Sequence, residues 1–261
     1  MNDVRIAVQF QPQHAEYDAI RRAVSRGEEM GIDIAYNWDH FYPLFGEADG
    51  AHFECWTMLA AWAEATENIE IGALVTCNSY RNPQLLADMA RTVDHISNGR
   101  LIFGIGSGWF ERDYDEYGYD FGTAGRRLRD LRANMPLIKD RWTKLNPAPT
   151  RPIPVLIGGG GEKVTLRIVA EHADVWHTWG SAETIAHKMN VLRGHCAHVG
   201  RDFDDIEKSV GIPWDKDPEP GVLGNAMHDV GVRQFTFGVQ GPAYDLSFLP
   251  PWLEWRDSKN G

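Results

Sequence analysis

Two glycine-rich stretches have residue types and spacings that favour the binding of a ligand. In the first, residues 101–110, an apolar run of strand length leads into Gly104, Gly106 and Gly108, and Trp109 follows. Glycines let a flat or phosphorylated molecule come close to the backbone. A dinucleotide fingerprint would instead open a helix directly, with an acidic residue about 20 positions later. This stretch predicts a backbone surface that a ligand can approach, with a plain packing turn as the alternative.

The second stretch is a run of four consecutive glycines at residues 158–161, followed at once by Glu162 and a helical pattern. Free N–H groups and the positive end of a helix dipole together form a seat for a phosphate group. A Walker A motif does not fit, because no Gly-Lys-Ser/Thr closes the run. The spacing predicts a phosphate site, with a flexible turn as the alternative.

The third feature that could take part in chemistry is the pair Asp39-His40. A histidine beside a carboxylate can hold or move a proton near neutral pH, although such a pair can also be purely structural. The sequence contains no Ser-His-Asp order, no paired glycosidase carboxylates and no His-Glu-x-x-His motif. Because these motifs are missing, we expect no hydrolase chemistry. The three cysteines lack the spacing of metal ligands, so we also expect no metal site.

An alternation of strand and helix patterns must position these residues. Apolar runs of strand length alternate with segments that carry apolar residues every three or four positions. The strands are predicted at 4–10, 34–37, 69–75, 101–106, 155–157, 175–177, 206–212 and 234–239, and the helices at 17–30, 54–66, 83–96, 128–142, 162–172, 182–199, 222–229 and 244–255. Eight such units in roughly 250 residues predict an α/β fold, a (β/α)8 TIM barrel, with a doubly wound open sheet as the alternative. We expect a single domain over residues 1–261.

The residues that follow the strands of such a barrel meet at one face, where barrel enzymes place their chemistry. Four tryptophans are expected there: Trp38, Trp109, Trp179 and Trp214. Indole rings are large, flat, apolar walls with one polar edge. The predicted pocket therefore suits an aromatic cofactor or an apolar substrate, unless these tryptophans only cap the core.

Composition and charge limit the classes of molecule that the protein is expected to bind. The net charge is −11, and the basic residues form no stripe, which argues against nucleic acid. No apolar run approaches the roughly 20 residues of a membrane span. The first residues enter a strand pattern and do not resemble a secretory signal, so we expect a cytoplasmic protein that acts on a small molecule.

Together these features resemble the luciferase-like monooxygenase superfamily and, within it, the oxidoreductases that use the deazaflavin coenzyme F420. The matching stretches are residues 39–41, 53–57, 71–76, 80–83, 94–100, 104–109 and 158–167. The resemblance implies a barrel that holds F420, or FMN as the alternative, in its mouth. It also implies a non-prolyl cis peptide near Leu74-Val75 and a homodimer.

The resemblance further implies roles for individual residues. Asp39 would lie near the ring and His40 would face the substrate, which makes them the predicted catalytic residues. The predicted cofactor-binding residues are Asp39, Leu74, Val75, Thr76, Gly106, Ser107, Gly108, Gly158, Gly159, Gly160, Thr178 and Gly180. Sugar-phosphate dehydrogenases of this group carry a tryptophan and a glutamate where this chain has Leu44 and Trp109. An apolar or aromatic substrate, bound among the four tryptophans, is therefore expected.

Three functions follow from this resemblance. The first is an F420-dependent oxidoreductase that transfers hydride to or from an organic substrate, with His40 steadying the developing charge. The second is an FMN-dependent monooxygenase that uses reduced flavin and oxygen. The third is a non-catalytic flavin-binding protein.

Overall fold

The computed structural model describes residues 3–213 and 219–261, and its strands form one parallel sheet that closes on itself. The strands are β1 (Arg5–Phe10), β2 (Ile34–Asn37), β3 (Glu70–Ala73), β4 (Thr76–Cys77), β5 (Leu101–Gly106), β6 (Val155–Gly158), β7 (Val175–Thr178), β8 (Glu207–Ile212) and β9 (Gln234–Val239). Neighbouring strands pair in chain order, β3 pairs with β5 as well as β2, and β9 pairs with β1. The predicted barrel is confirmed, and the open-sheet alternative is wrong because of the β9–β1 pairing.

Helices connect the strands on the outside of the barrel. They are α1 (Tyr17–Met30), α2 (Cys55–Ala65), α3 (Pro83–Ile96), α4 (Glu111–Tyr117), α5 (Ala124–Lys144), α6 (Thr165–His172), α7 (Ala182–Val199), α8 (Asn225–Asp229) and α9 (Leu249–Asn260), with a π-helical turn at Pro220–Gly224. Within the described ranges, no helix is both long and apolar enough to cross a membrane.

The barrel interior is layered from bottom to top. At the bottom, the Arg5 guanidinium pairs with Glu70 and Glu207. Above this ionic layer lies an apolar cluster that includes Ala7, Ile34, Tyr36, Ile102, Leu156 and Val175. Inward-facing positions near the upper ends of β5, β6, β8 and β9 are glycines: Gly106, Gly158, Gly211 and Gly238. The absence of side chains leaves room for a cavity at Gly106, Gly158 and Gly238, and for the Trp179 ring at Gly211.

The third predicted strand is interrupted. We expected one strand over 69–75, whereas β3 ends at Ala73 and β4 begins at Thr76. The intervening Leu74-Val75 peptide is cis, as the resemblance implied. The interruption places both residues in the wall of the barrel mouth, where Gln9 donates a hydrogen bond to the Leu74 carbonyl (2.8 Å).

One helix was not expected from the sequence. Helix α4 occupies part of the segment after β5 that has no helical periodicity, and it is held by tertiary contacts. Asp113 and Tyr114 are fully buried although their neighbours on α4 are largely exposed. This short helix brings Asp113 against His40 and Tyr114 against Cys77.

Two helices, α6 and α9, begin later than the sequence predicted. Helix α6 begins at Thr165, three residues after the predicted start at 162. Helix α9 begins at Leu249 and continues through two prolines that suit a first turn, whereas the prediction began at 244. Tyr244 has a φ of 45°, which an α-helix does not permit, so the predicted start is wrong.

Candidate active site

A cavity of about 680 Å³ opens at the upper ends of the strands. Its lining includes most of the predicted site: Trp38, Asp39, His40, Leu74, Val75, Thr76, Gly106, Ser107, Gly108, Trp109, Gly158, Gly159 and Trp179. Gly160, Thr178 and Gly180 are not among the lining residues. Trp214 lies outside the described residues. Gln11, Tyr80 and His177 also line the cavity.

Asp39 is buried and accepts hydrogen bonds from several fixed donors. Its Oδ2 accepts from the Thr76 hydroxyl (2.7 Å), the Cys77 N–H (3.0 Å) and Arg81 (2.6 Å), and its Oδ1 accepts from Arg81 (3.0 Å). These contacts tie the end of β2 to the segment that follows the Leu74-Val75 bulge. The carboxylate is therefore held in place, and these bonds favour a positioning role over proton transfer.

Arg81 links Asp39 to a helix terminus. It also donates to Glu54 (2.5 Å), whose carboxylate caps α2 by accepting from the N–H groups of Trp56 and Thr57. Burial lowers the pKa of Arg81, but Asp39, Cys55 and Glu54 together outweigh this effect, and the net pKa is raised. Burial raises the pKa of Glu54, and the helix N–H donors and Arg81 bring it below its ordinary value. Glu54 is thus a structural partner in this network.

His40 has its carboxylate partner on α4. The sequence suggested Asp39 as the neighbouring acid, but His40 Nδ1 lies 2.8 Å from Asp113 Oδ2. The same oxygen accepts from the Tyr80 hydroxyl (3.0 Å), and Asp113 Oδ1 accepts from the N–H groups of Phe41 and Tyr42. His40 also lines the cavity, and its Nδ1 is the ring nitrogen that contacts Asp113. Adjacent residues 39 and 40 therefore serve two separate networks.

Aromatic rings form the walls around His40. Trp38 and Trp109 both meet its imidazole edge to face, with centroids 5.9 and 5.7 Å away. Trp38 is anchored because its indole N–H donates to His52 Nε2 (2.9 Å). Burial, and then the nearby His40, lowers the pKa of His52 to about 4, so His52 accepts this bond in its neutral form at pH 7. Trp38 is thus a fixed wall.

The rim of the cavity carries exposed aromatic side chains. Trp109 is 63% exposed, Trp179 is 54% exposed and Phe45 is 52% exposed. Three atoms of the Trp179 ring lie within 2.3 Å of the point where a Cβ on Gly211 would stand. The indole therefore rests directly on the β8 backbone, and a flat apolar surface borders the opening.

The glycines of the first stretch are required mainly by the protein's own packing. Gly108 has a φ of 80°, and a Cβ there would lie 2.0 Å from the Tyr114 hydroxyl and 2.6 Å from Cys77 Sγ. A Cβ on Gly106 would lie 2.7 Å from Val75. The packing-turn alternative thus accounts for the close contacts at both positions, although both residues also line the cavity.

The four-glycine turn forms a cradle beside the cavity. A Cβ on Gly160 would stand 2.9 Å from Thr178 Oγ1 and 3.3 Å from Lys188 Nζ. Lys188 donates to the Gly160 carbonyl (2.6 Å) and lies 3.5 Å from Glu162. Trp176 fixes the turn from behind by donating to the Gly159 carbonyl (2.8 Å). Among the described residues, the N–H groups of Gly160 and Gly161 donate to no other backbone group.

Two buried polar atoms in the lining residues have no partner within the described ranges. They are Gln11 Oε1 and His177 Nε2. The other ring nitrogen of His177 contacts the Ser209 hydroxyl (2.8 Å). Burial lowers the pKa of His177 to about 3, so this ring is neutral at pH 7. The cavity lining therefore includes polar groups with unused hydrogen-bonding capacity.

Gly180 stands apart from this cradle. A Cβ on Gly180 would meet Thr184 and Ile185 of α7 at 3.0 to 3.6 Å. Its close neighbours are therefore on the helix, whereas Thr178 adjoins Gly160. Of the predicted turn 178–180, Thr178 therefore lies against the glycine cradle, whereas Gly180 packs against α7.

Several residues of the site were missed in the sequence: Tyr80, Arg81, Asp113 and Lys188. Tyr80 and Arg81 stood in a stretch recognised by resemblance, but nothing there indicated their partners. Asp113 lies in the acidic segment 111–117, which has no apolar periodicity. Lys188 lies on α7, and only the fold brings it to Gly160.

Comparisons with known proteins agree with this architecture. A model of the luciferase-like monooxygenase family matches residues 4–214. An F420-dependent glucose-6-phosphate dehydrogenase of Amycolatopsis mediterranei is 33% identical over an alignment of 177 residues, and the match covers 60% of this chain and 51% of the relative. The enzyme of the same name from Kribbella flavida is 28% identical over an alignment of 234 residues, and that match covers 82% of this chain and 68% of the relative. The chain thus spans about half of the first relative's length.

Among solved structures, an F420-dependent secondary alcohol dehydrogenase in complex with an F420-acetone adduct has the same fold. Its TM-score is 0.82 at 14% identity, and the match covers 93% of this chain and 95% of that one. Because the family model matches most of the sequence and the barrel carries the expected break after β3, this chain belongs to the luciferase-like monooxygenase family.

Proposed function

We propose that this protein is an F420-dependent oxidoreductase that transfers hydride to or from an apolar or aromatic substrate. The observation that carries the proposal is a single cavity lined by His40, by the Leu74-Val75 bulge and by the start of a glycine cradle. The names of the Amycolatopsis and Kribbella relatives support the choice of F420. When bound, the deazaflavin supplies a carbon that exchanges hydride with the substrate.

The residues of the cavity fit such a cofactor. Val75 forms a ridge, and a Cβ on Gly106 or Gly158 would contact it at 2.7 and 3.1 Å, so the surface beside the ridge is free of side chains. Gly160, Thr178 and Lys188 would hold the phosphate with N–H, hydroxyl and ammonium donors. Asp39 would position the segment after the bulge, at Thr76 and Cys77.

The chain's own part in the chemistry centres on His40. Its Nδ1 edge is engaged by Asp113, which leaves Nε2 as the atom that can hold or release a proton for the substrate. Trp38, Trp109 and Trp179 would orient an apolar or aromatic body and exclude water from the reacting group.

Cofactor choice is tested by titrating the purified protein with F420 and with FMN, and then by measuring turnover with and without oxygen. We expect tight F420 binding and turnover that needs no oxygen. FMN-dependent monooxygenation is the second candidate, favoured by the description of the family whose model matches. Oxygen-dependent turnover with reduced FMN, and none with F420, would establish that candidate and overturn the proposal.

The phosphate cradle has its own test in Gly160→Val. Gly160 has an ordinary φ, so the change fills the cradle without backbone strain. We expect cofactor affinity to fall at least about tenfold, because a lost charge-assisted hydrogen bond costs roughly 1.5 kcal/mol or more. Gly194→Ala on α7 is the control, since nothing lies within 4 Å of its Cβ position. Unchanged affinity in Gly160→Val would place the phosphate elsewhere.

The variant His40→Ala distinguishes a catalytic protein from one that only binds the cofactor. The proposed role predicts a loss of turnover of about 10²- to 10⁴-fold with little change in cofactor affinity. If affinity and every measurable activity are the same as in the parent protein, the non-catalytic flavin-binding function is the better description.

The remaining parts of the proposal concern the whole molecule. We propose one domain over residues 1–261, a homodimer, and a cytoplasmic location. Sedimentation analysis tests the dimer, since a single chain has a mass of 29.5 kDa and a dimer twice that value.

A further inference from the structure

We propose that Asp113 is a positioning residue that fixes the proton of neutral His40 on Nδ1 and thereby presents the Nε2 lone pair to the cavity. Asp113 is separated from His40 by 73 positions and does not line the cavity. The inference rests on the proposed function only for its activity measurement, because the position of the proton is a property of the free protein.

The argument begins with the donors around Asp113. The carboxylate is fully buried and accepts four hydrogen bonds, two at each oxygen. At Oδ1 the donors are the N–H groups of Phe41 (3.1 Å) and Tyr42 (3.2 Å). These backbone groups can only donate, so they hold the carboxylate in one orientation.

At Oδ2 the partners are Tyr80 and His40. Burial, together with Cys77 and Asp113, raises the pKa of Tyr80, so its hydroxyl keeps its proton and donates (3.0 Å). A carboxylate oxygen accepts only, and so the imidazole nitrogen that faces it must carry a proton. The neutral His40 ring then has its proton on Nδ1, which is the role an orienting carboxylate plays in a serine-protease triad.

The other groups around His40 do not compete for its proton. The Trp38 ring is nearly perpendicular to the imidazole, and its N–H donates to His52. Asp39 is committed to Thr76, Cys77 and Arg81. Asp113 is thus the carboxylate in direct contact with the imidazole within the described part of the chain.

Asp113→Asn tests the proposal, because the hydrogen-bond donors around residue 113 determine how the asparagine amide would be oriented toward His40. An asparagine has one acceptor oxygen, and the two backbone N–H groups of Phe41 and Tyr42 require it. The amide NH2 then faces Tyr80 and His40, and His40 can accept this bond only if its proton moves to Nε2. The variant keeps the shape of the side chain and reverses the tautomer.

The primary measurement is nitrogen-15 NMR of the His40 imidazole in the free protein, at a pH where the ring is neutral. We expect the Nδ1–H form in the parent protein and the Nε2–H form in Asp113→Asn. Asp115→Asn, an exposed position on the same helix, is the matched control and should leave the parent signal unchanged. Tyr80→Phe should also keep the Nδ1–H form, since the carboxylate remains.

The second measurement is turnover with F420. Asp113→Asn should lower kcat by about 10²- to 10⁴-fold while KM and cofactor affinity change little, because the binding surfaces are untouched. An Nε2–H form in the parent protein, or an unchanged tautomer in a folded Asp113→Asn variant, would overturn the proposal. Should that variant not fold, the parent and Tyr80→Phe spectra still decide the matter. Absence of F420 turnover in every protein would count against the proposed function and leave the NMR result standing.

Discussion

At the scale of single residues, the site contains two buried acidic side chains, Asp39 and Asp113, that have different partners. Asp39 is paired with a guanidinium and binds the segment after the bulge, whereas Asp113 is paired with an imidazole and two backbone N–H groups. Both are buried, and each has enough donors to compensate for burial. Their different partners give one a structural task and the other a task at His40.

The Asp39–Arg81 pair makes a measurable contribution to stability. Arg81→Met removes the cation and leaves a buried carboxylate without its ionic partner, which costs about 3–5 kcal/mol in the free energy of unfolding. Urea denaturation measures this loss. Lys144→Met, which removes the exposed pair with Asp140, is the control and should cost less than about 1 kcal/mol. Equal costs for the two variants would contradict the assignment of a buried, compensated pair.

At the scale of elements, the cavity depends on where strands carry no side chain. The inward positions near the tops of β5, β6 and β9 are glycines, and these residues line the cavity as Gly106, Gly158 and Gly238. On β8 the corresponding space above Gly211 is filled by the Trp179 ring. The cavity is therefore open beside the glycines of β5, β6 and β9, and the Trp179 indole closes it at β8.

Helix α4 is held against the strand ends through Gly108, which gives an element-scale prediction. Gly108→Ala would place a methyl group 2.0 Å from the Tyr114 hydroxyl, in addition to the strain of a φ of 80°. Gly118→Ala, at the end of α4, has a similar φ of 69° and nothing within 4 Å of its Cβ position. We expect about 1–2 kcal/mol of destabilisation from the strain alone, and a further 1–3 kcal/mol for Gly108→Ala from overpacking.

Thermal or urea unfolding of the two glycine variants measures the difference. A loss of stability no larger in Gly108→Ala than in Gly118→Ala would mean that α4 can move away from the β5 turn. In that case the position of Asp113 beside His40 would also be adjustable.

At the scale of the whole molecule, His177 couples barrel stability to pH. Its folded pKa of about 3 lies below the value of 6.5 that it has when exposed, because burial disfavours the charged ring. The unfolded chain therefore binds the extra proton between these two pH values, and stability falls as pH decreases through this window. The contribution is fully present above pH 6.5.

His177→Gln removes this proton linkage while keeping a side chain that can bond to Ser209. Between pH 6.5 and 5, we expect the parent protein to lose up to about 2 kcal/mol more stability than the variant, from roughly 1.4 kcal/mol per pH unit. Urea titrations at several pH values measure the two slopes. His187→Gln, at an exposed position on α7, is the control and should keep the parent slope. Parallel curves for the parent protein and His177→Gln would show that His177 is not buried in the neutral form.

The sequence by itself determined the alternation of strands and helices, the barrel that this alternation implies, and most residues of the cavity wall. These are local properties: apolar spacing sets each element, and the residues after parallel strands share one face whichever side chains they carry. The strand pattern also placed Trp38, Trp109 and Trp179 at the barrel mouth, and the family resemblance located the break at Leu74-Val75.

Only the tertiary structure decided which side chains pair across that face. Asp113 reaches His40 across 73 positions, Arg81 reaches Asp39 across 42, and Lys188 reaches the Gly160 carbonyl across 28. No local pattern encodes these contacts, because they depend on barrel closure and on a short helix held by its buried side chains. The closeness of Gly108 to Tyr114 arises in the same way, so the glycine that first suggested a passing ligand is required by the protein's own helix.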